Sequence, residues 1–161
     1  MSTDSRPYNG RVSDDVLALE NQVCFGLAVA ARSVIALYRP VLEPLSLTHP
    51  QYLVMLALWE QEPRSVKNLS DTLALEPATL SPLLKRLEAI GYVERKRSAA
   101  DERALEVRLT GSGRALRAEA EKIPGRIVER LGLPAGELAE LRTSLHTIIA
   151  AAARIPEPAG A

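Results

Sequence analysis

EPATLSPLLKRLEAIGYVERKRSAADERALEVRLT, residues 76–110, changes its period halfway along. In the first half Leu80, Leu83, Leu84, Leu87 and Ile90 fall at helical spacing and make one apolar face. Thr79, Ser81, Pro82, Lys85, Arg86 and Ala89 lie largely off it. Pro77 suits a first helical position. A start there leaves Pro82 inside the helix without an N–H for the Ala78 carbonyl. A start at Thr79 puts Pro82 in the first turn at no cost, and the residues are compatible with both. Gly91 is a C-cap candidate. Beyond it, YVERKR (92–97) and ALEVRLT (104–110) read as strands flanking the loop SAADER (98–103), which makes a hairpin.

Working upstream, THPQ (48–51) is a capping box with proline inside it, opening a helix over QYLVMLALWE (51–60). SVKNLSDTLAL (65–75) reads as a short helix with Val66, Leu69 and Leu73 inward. Three short helices followed by a hairpin form a winged helix-turn-helix pattern. A longer first helix is expected from near Asp14 to near Tyr38, where Leu17, Cys24, Ala31 and Tyr38 recur every seven residues, with Leu27, Val34 and Ile35 filling the stripe. Pro40 and Pro44 then break the regularity. Downstream, a long helix is expected from Thr110 to about Leu131. A last one runs from Pro134 to about Arg154, with Leu138, Leu141, Leu145, Ile148 and Ala152 at coiled-coil spacing. The expected fold class is therefore mainly α with a small β-hairpin wing. Residues 13–45 are expected to hold the first helix, 46–110 the winged helix-turn-helix and 111–155 the C-terminal helices, the first and last regions carrying seams that need a partner, with loose tails at 1–12 and 156–161.

The bulk numbers narrow the setting. One cysteine in 161 residues forms no internal disulfide, which fits a reducing compartment. Residues 1–15 lack the apolar core of a signal peptide, and the longest apolar runs, such as YLVMLALW, are too short to span a bilayer. The expected location is the cytoplasm, with no membrane partner. His49 and His146 lie far apart in sequence, so no metal cluster and no cofactor are expected. With a net charge of zero, nucleic-acid binding requires a local basic surface.

Residues 64–103 hold eight cationic side chains against six acidic ones, a net of only +2. Lys85 and Arg86 nevertheless leave the helix on one side, and Arg95, Lys96 and Arg97 head the hairpin. Those are the places that would meet phosphates of a double-stranded DNA operator. Thr79, Ser81 and Pro82 complete the exposed face of the same helix. Asp101 and Arg103 stand two apart in the hairpin loop, and an Asp there can hold an Arg extended for a narrow minor groove. The competing readings are a solvated helix face and an ordinary surface ion pair worth little. The order of elements favours DNA.

At DERALEVRLTGSG (101–113) the sequence resembles the MarR family of dimeric winged-helix regulators, whose run is an Asp-x-Arg wing, a strand, Leu-Thr and a Gly. The stretch LENQVCFGLAVAARSVIALYRPVLEPLSLTHPQYLVMLALWE (19–60) resembles the OhrR branch, the organic-hydroperoxide-sensing repressors. The resemblance implies that Cys24 is the redox-sensing residue and that Tyr38 hydrogen-bonds it. His49 stands where that branch often has a hydrogen-bonding tyrosine, and Ala28 where it often has another. Some members use a second, resolving cysteine. This chain has none, so it resembles the one-cysteine type, in which Cys24 ends as a sulfenic acid, a mixed disulfide with a small thiol, or an over-oxidised product.

In its own helix Cys24 has Glu20 at i−4 and Ala28 at i+4, and neither activates a thiol. Tyr38 is fourteen residues on, about 21 Å away along a straight helix. It can reach the Cys24 of a second copy whose first helix runs antiparallel, so the sensor site is expected to be shared across a homodimer. The reduced dimer is then expected to repress a gene by holding a pseudo-palindromic operator, with oxidation of Cys24 by an organic hydroperoxide releasing it. Two other readings remain. In one, Cys24 is packing and a small phenolic ligand in the dimer crevice is the signal. In the other, the chain is a thiol peroxidase, which would need an external thiol for turnover.

Overall fold

The computed structural model describes residues 15–98 and 105–154. Asp101, Arg103 and the two expected tails lie outside the described residues. The chain divides into two compact units, Met1–Ala120 and Glu121–Ala161.

In the first unit, helix α1 spans Val23–Leu42, α2 His49–Glu60, α3 Val66–Leu73 and α4 Pro77–Ile90. Strand β1 (Arg64–Ser65) precedes α3, and β2 (Val93–Arg97) and β3 (Leu105–Leu109) form the hairpin. The sheet order is β1-β3-β2, antiparallel throughout, with Arg95 opposite Val107 and Arg64 also opposite Val107 on the other side. Short helices α5 (Gly111–Ala115) and α6 (Arg117–Ala120) close the unit. The fold is a winged helix-turn-helix, as the pattern of helices and hairpin predicted.

The core follows the periodicities. Helix α2 is apolar nearly all round and buries Tyr52, Val54, Met55, Ala57 and Leu58. Gln51 Oε1 accepts the Thr48 amide at 2.8 Å, so the capping box starts α2 as expected. Leu80, Leu84 and Leu87 of α4 meet this core, as do Val93, Val107 and Leu109 of the sheet. Leu83 is only half-buried, and Ile90 is exposed.

Four expectations are corrected. Helix α1 begins at Val23 rather than near Asp14. A 3-10 turn, Leu19–Asn21, precedes it, where side chains bind backbone groups that a helix would need. Asn21 Nδ2 donates to the Asp15 carbonyl at 2.7 Å, and Gln22 Nε2 to that of Val16 at 2.9 Å. The helix also runs through Pro40, leaving the carbonyl of Ala36 without its partner at an exposed position. The long helix expected over 110–131 is divided. Pro124 lacks an N–H, and a new helix, α7 (Ile123–Leu131), starts just before it. Finally, Val23–Leu45 is long and apolar enough to cross a membrane by length and composition, contrary to the reading of the apolar runs. Its apolar positions are interrupted by Arg32 and Arg39, so no single run reveals it.

In the second unit α7 ends at Gly132, in the left-handed region at φ 64°. Helix α8 spans Ala135–Ala152, close to the expected bounds, and contains no buried residue. Leu141, Ile148 and Ile149 are exposed on it.

Candidate nucleic-acid interface and sensor site

Helix α4 starts at Pro77, with Glu76 as its N-cap, so Pro82 does lie inside the helix and the alternative start at Thr79 is not taken. The Leu80–Leu84–Leu87 stripe faces the core, which turns Thr79, Pro82, Lys85 and Arg86 outward, while Ser81 is half-buried. Gly91, at φ 90°, ends α4 and turns the chain into the wing. Thr110 fastens the far side of the hairpin to this turn: its hydroxyl donates to the Gly91 carbonyl at 2.6 Å and its amide to that of Tyr92 at 3.0 Å.

The basic residues of the hairpin are not equivalent. Arg95 holds Glu88 of α4, with Nη2 at 2.6 Å and Nε at 3.0 Å from Oε2. Lys96 pairs with Glu94 at 2.8 Å across exposed surface, and Arg97 is exposed. Arg64, counted above with the surface charges, is in fact interior. Its Nε donates to the carbonyls of Ala57 at 2.9 Å and Gln61 at 3.1 Å, and its Nη1 to Asn68 Oδ1 at 2.9 Å and Thr72 Oγ1 at 3.2 Å. Sequence reasoning missed this network, the Glu88 contact and strand β1. A two-residue strand has no period, and nothing in the order of residues marks one arginine among eight cations as internal.

Cys24 is exposed, in the first turn of α1, and Tyr38 lies near the other end of the same helix. At 1.5 Å rise per residue the two stand about 21 Å apart, so they do not meet within one chain. The mid-helix surroundings expected for Cys24, with Glu20 one turn before it on the same helix, are not formed, because α1 starts only at Val23.

Tyr38 packs its ring edge-on against His49 at 4.8 Å and lies 6.0 Å from Tyr52. Burial pushes His49 below its ordinary value and the Tyr38 phenol above its own. At neutral pH the pair is thus a neutral imidazole and a protonated phenol, able to donate a hydrogen bond but carrying no charge. A cavity of about 990 Å³ opens beside His49, lined also by Ile35, Arg32 and Arg39 of α1 and by Arg86 and Ile90 of α4. The structure therefore brings Tyr38 and His49 together, sets His49 in one cavity with the end of α4, and leaves Cys24 apart. Among the described residues no group of three His, Cys, Asp or Glu side chains could hold a metal ion.

Three helices, a two-stranded wing and an outward-turned α4 define the chain as a winged helix-turn-helix protein. The profile of the family described as "Transcriptional regulator SarA/Rot" matches residues 36–119. The chain is 41% identical over 135 residues to the organic hydroperoxide resistance transcriptional regulator of Bacillus subtilis (strain 168), covering 84% of this chain and 92% of that protein. It is 41% identical over 140 residues to the HTH-type transcriptional regulator TtmR of Methylorubrum extorquens (strain PA1), covering 83% and 72%. Among solved structures it resembles reduced AbfR bound to DNA, with a TM-score of 0.67 at 34% identity over 81% of this chain and 91% of that one. AbfR is a Staphylococcus epidermidis protein. Its disulfide form matches at a TM-score of 0.59, 34% identity, 81% and 92%. The chain belongs to the MarR family of transcriptional regulators, in its SarA/Rot type.

Proposed function

We propose that the protein is a redox-sensing transcriptional repressor that binds a pseudo-palindromic operator as a homodimer and leaves it when an organic hydroperoxide oxidises Cys24. The observation that carries this reading is the placement of the one cysteine. It is exposed at one end of a long helix whose apolar stripe is uncovered, with a protonated tyrosine at the other end. A second copy packed antiparallel on that stripe covers it and brings Tyr38 of the partner subunit to Cys24. Residues 13–45, and the exposed seam of α8 within 111–155, are the dimerisation elements in this reading. Residues 46–110 carry the DNA contacts: Thr79, Ser81, Pro82, Lys85 and Arg86 on α4, and Arg95, Lys96, Arg97, Asp101 and Arg103 in the wing. The relatives' names and the DNA-bound AbfR support it.

The chemistry balances without a cofactor. The Cys24 thiolate sulfur attacks one peroxide oxygen and the O–O bond breaks. The departing alkoxide takes a proton and leaves as an alcohol, so sulfur is oxidised by two electrons and the peroxide reduced. The hydroxyl of Tyr38 of the partner subunit steadies the charged sulfur, and His49 orients that phenol through its ring contact. The sulfenic acid then condenses with a small thiol, forming a mixed disulfide and releasing water, since the chain holds no resolving cysteine. The added bulk lies in the dimer interface and shifts the spacing of the two α4 helices. The protein acts stoichiometrically, as a cytoplasmic sensor and not an enzyme. The cavity beside His49 gives one specific ground for a second reading, in which a small phenolic ligand there is the signal and Cys24 is structural.

Binding of a labelled duplex by the reduced protein, with and without cumene hydroperoxide, tests the choice. Wild type should lose at least about tenfold in affinity on treatment. Cys24→Ser should bind as well as reduced wild type and ignore the peroxide. A Cys24→Ser protein that still leaves DNA on treatment would refute the redox reading.

A further inference from the structure

Strand β2 follows α4 after only Gly91 and Tyr92 and is five residues long. The β3 side of the hairpin is held by its pairing with β1 and by Thr110, and its root by the buried Val93, Val107 and Leu109. Farther along β2, one side-chain contact ties the strand directly to α4. Val93 and Arg95 leave β2 on the same face, and their partners on β3, Leu109 and Val107, are buried, so this face of the sheet looks toward the helices. Arg95 is only 25% exposed there, and its guanidinium reaches back to Glu88, in the last turn of α4 and itself 35% exposed. Glu88 accepts three hydrogen bonds from that one residue: the backbone amide at 3.2 Å, Nε at 3.0 Å and Nη2 at 2.6 Å. The backbone bond fixes the strand itself, and the two guanidinium bonds fix the side chain against the helix. Lys96, on the opposite face, makes only a local pair with Glu94 two residues away, which ties the wing to nothing else.

We propose that Glu88 and Arg95 are positioning residues that set the angle of the wing against α4, so that helix and wing engage one duplex together. The proposal rests on the DNA-binding reading above and assigns Arg95 a different part in it: Arg95 holds the wing in place and does not itself grip a phosphate. Pre-set geometry raises affinity because the second contact forms without first losing the freedom of a loose wing.

A charge swap separates the possibilities. The probe is the duplex that reduced wild type recovers most strongly from a random pool of about 30 base pairs, long enough for two half-sites. Glu88→Arg adds positive charge beside a DNA-reading helix, so simple attraction predicts tighter binding. Loss of the pair predicts weaker binding, by about tenfold. Arg95→Glu should weaken binding to a similar extent or more. In the double variant the pair is restored in reverse. Its affinity should return to within about threefold of wild type, with the salt dependence of wild type. A double variant as weak as Arg95→Glu, with a salt slope lower by about one charge, means that Arg95 touches phosphate and overturns the proposal. So does a folded Glu88→Arg protein that binds as tightly as wild type. If a charge-reversed single variant does not fold by circular dichroism, Glu88→Gln keeps an acceptor and removes the charge. A loss of about threefold is then expected, and no loss overturns the proposal. Wild type recovering no duplex at all would overturn the DNA-binding reading instead, a result distinct from either.

Discussion

Gly113→Ala should destabilise the protein by about 3–5 kcal/mol, a large share of the roughly 5–15 kcal/mol that holds a domain together. The reason is contact and not backbone torsion. A Cβ built at Gly113 overlaps the Tyr92 carbonyl oxygen, which is main chain and cannot rotate away. Retreat of the α5 backbone breaks a set of bonds at the root of the wing. The Trp59 indole N–H donates to the Gly113 carbonyl at 2.9 Å, and the Gly113 amide donates to Thr110 Oγ1 at 3.0 Å. The Thr110 hydroxyl in turn donates to Gly91 at 2.6 Å. Overpacking alone costs about 1–3 kcal/mol, and the bonds lost in relieving it add to that. Gly111, two residues earlier in the same helix, is the control: an added Cβ there meets nothing within 4 Å. Gly111→Ala should be neutral or slightly stabilising. Thermal unfolding followed by circular dichroism compares the two. A Gly113→Ala protein melting with wild type would mean that this junction is not as tight as described.

Arg64→Leu comes next, with an expected loss of about 2–4 kcal/mol. Arg64 is 9% exposed and joins the end of α2, β1 and α3. Its ion pair with Glu60 at 3.2 Å contributes little, because Glu60 is 75% exposed. The cost arises from the buried guanidinium, whose bonds to the carbonyls of Ala57 and Gln61, the amide oxygen of Asn68 and the hydroxyl of Thr72 are lost together, the bond to Ala57 being the buried one. Arg64→Lys keeps the charge but not the planar fork, and should recover less than half of the loss. Urea unfolding midpoints, converted with a common slope, give the comparison. A Leu variant within about 0.5 kcal/mol of wild type would show that water replaces these bonds without penalty.

These two sites also mark what the sequence conceals. Periodicity located α2, α3, α4 and the hairpin, because each has a face that must be buried and the residues repeat accordingly. Gly91 and the Thr48–Gln51 box were legible because caps follow local rules. Gly113 and Arg64 were not, since each owes its importance to groups far off in the chain: Trp59 is 54 residues from Gly113. The start of α1 was misread for a related reason. The heptad from Leu17 to Tyr38 is present in the sequence, but Asn21 and Gln22 bind the preceding backbone and stop the helix at Val23. That shift moves Cys24 from mid-helix to a helix start. The resemblance named Cys24, Tyr38 and His49 together, whereas the single chain unites only the last two. The missing member follows from helix rise: one chain is too long between Cys24 and Tyr38 to close the site alone.

Rates of Cys24 oxidation in mixed dimers test that sharing directly. Cys24→Ser and Tyr38→Phe chains carrying different tags are co-purified as a mixed dimer, whose single thiol is on the Tyr38→Phe chain. If the site is shared between subunits, that thiol meets the intact Tyr38 of the Cys24→Ser chain, and cumene hydroperoxide should consume it at the wild-type rate. The Tyr38→Phe homodimer should react about tenfold more slowly, having lost the hydrogen bond to the charged sulfur. A mixed dimer as slow as the Tyr38→Phe homodimer, with wild type fast, would contradict a sensor site built from both subunits.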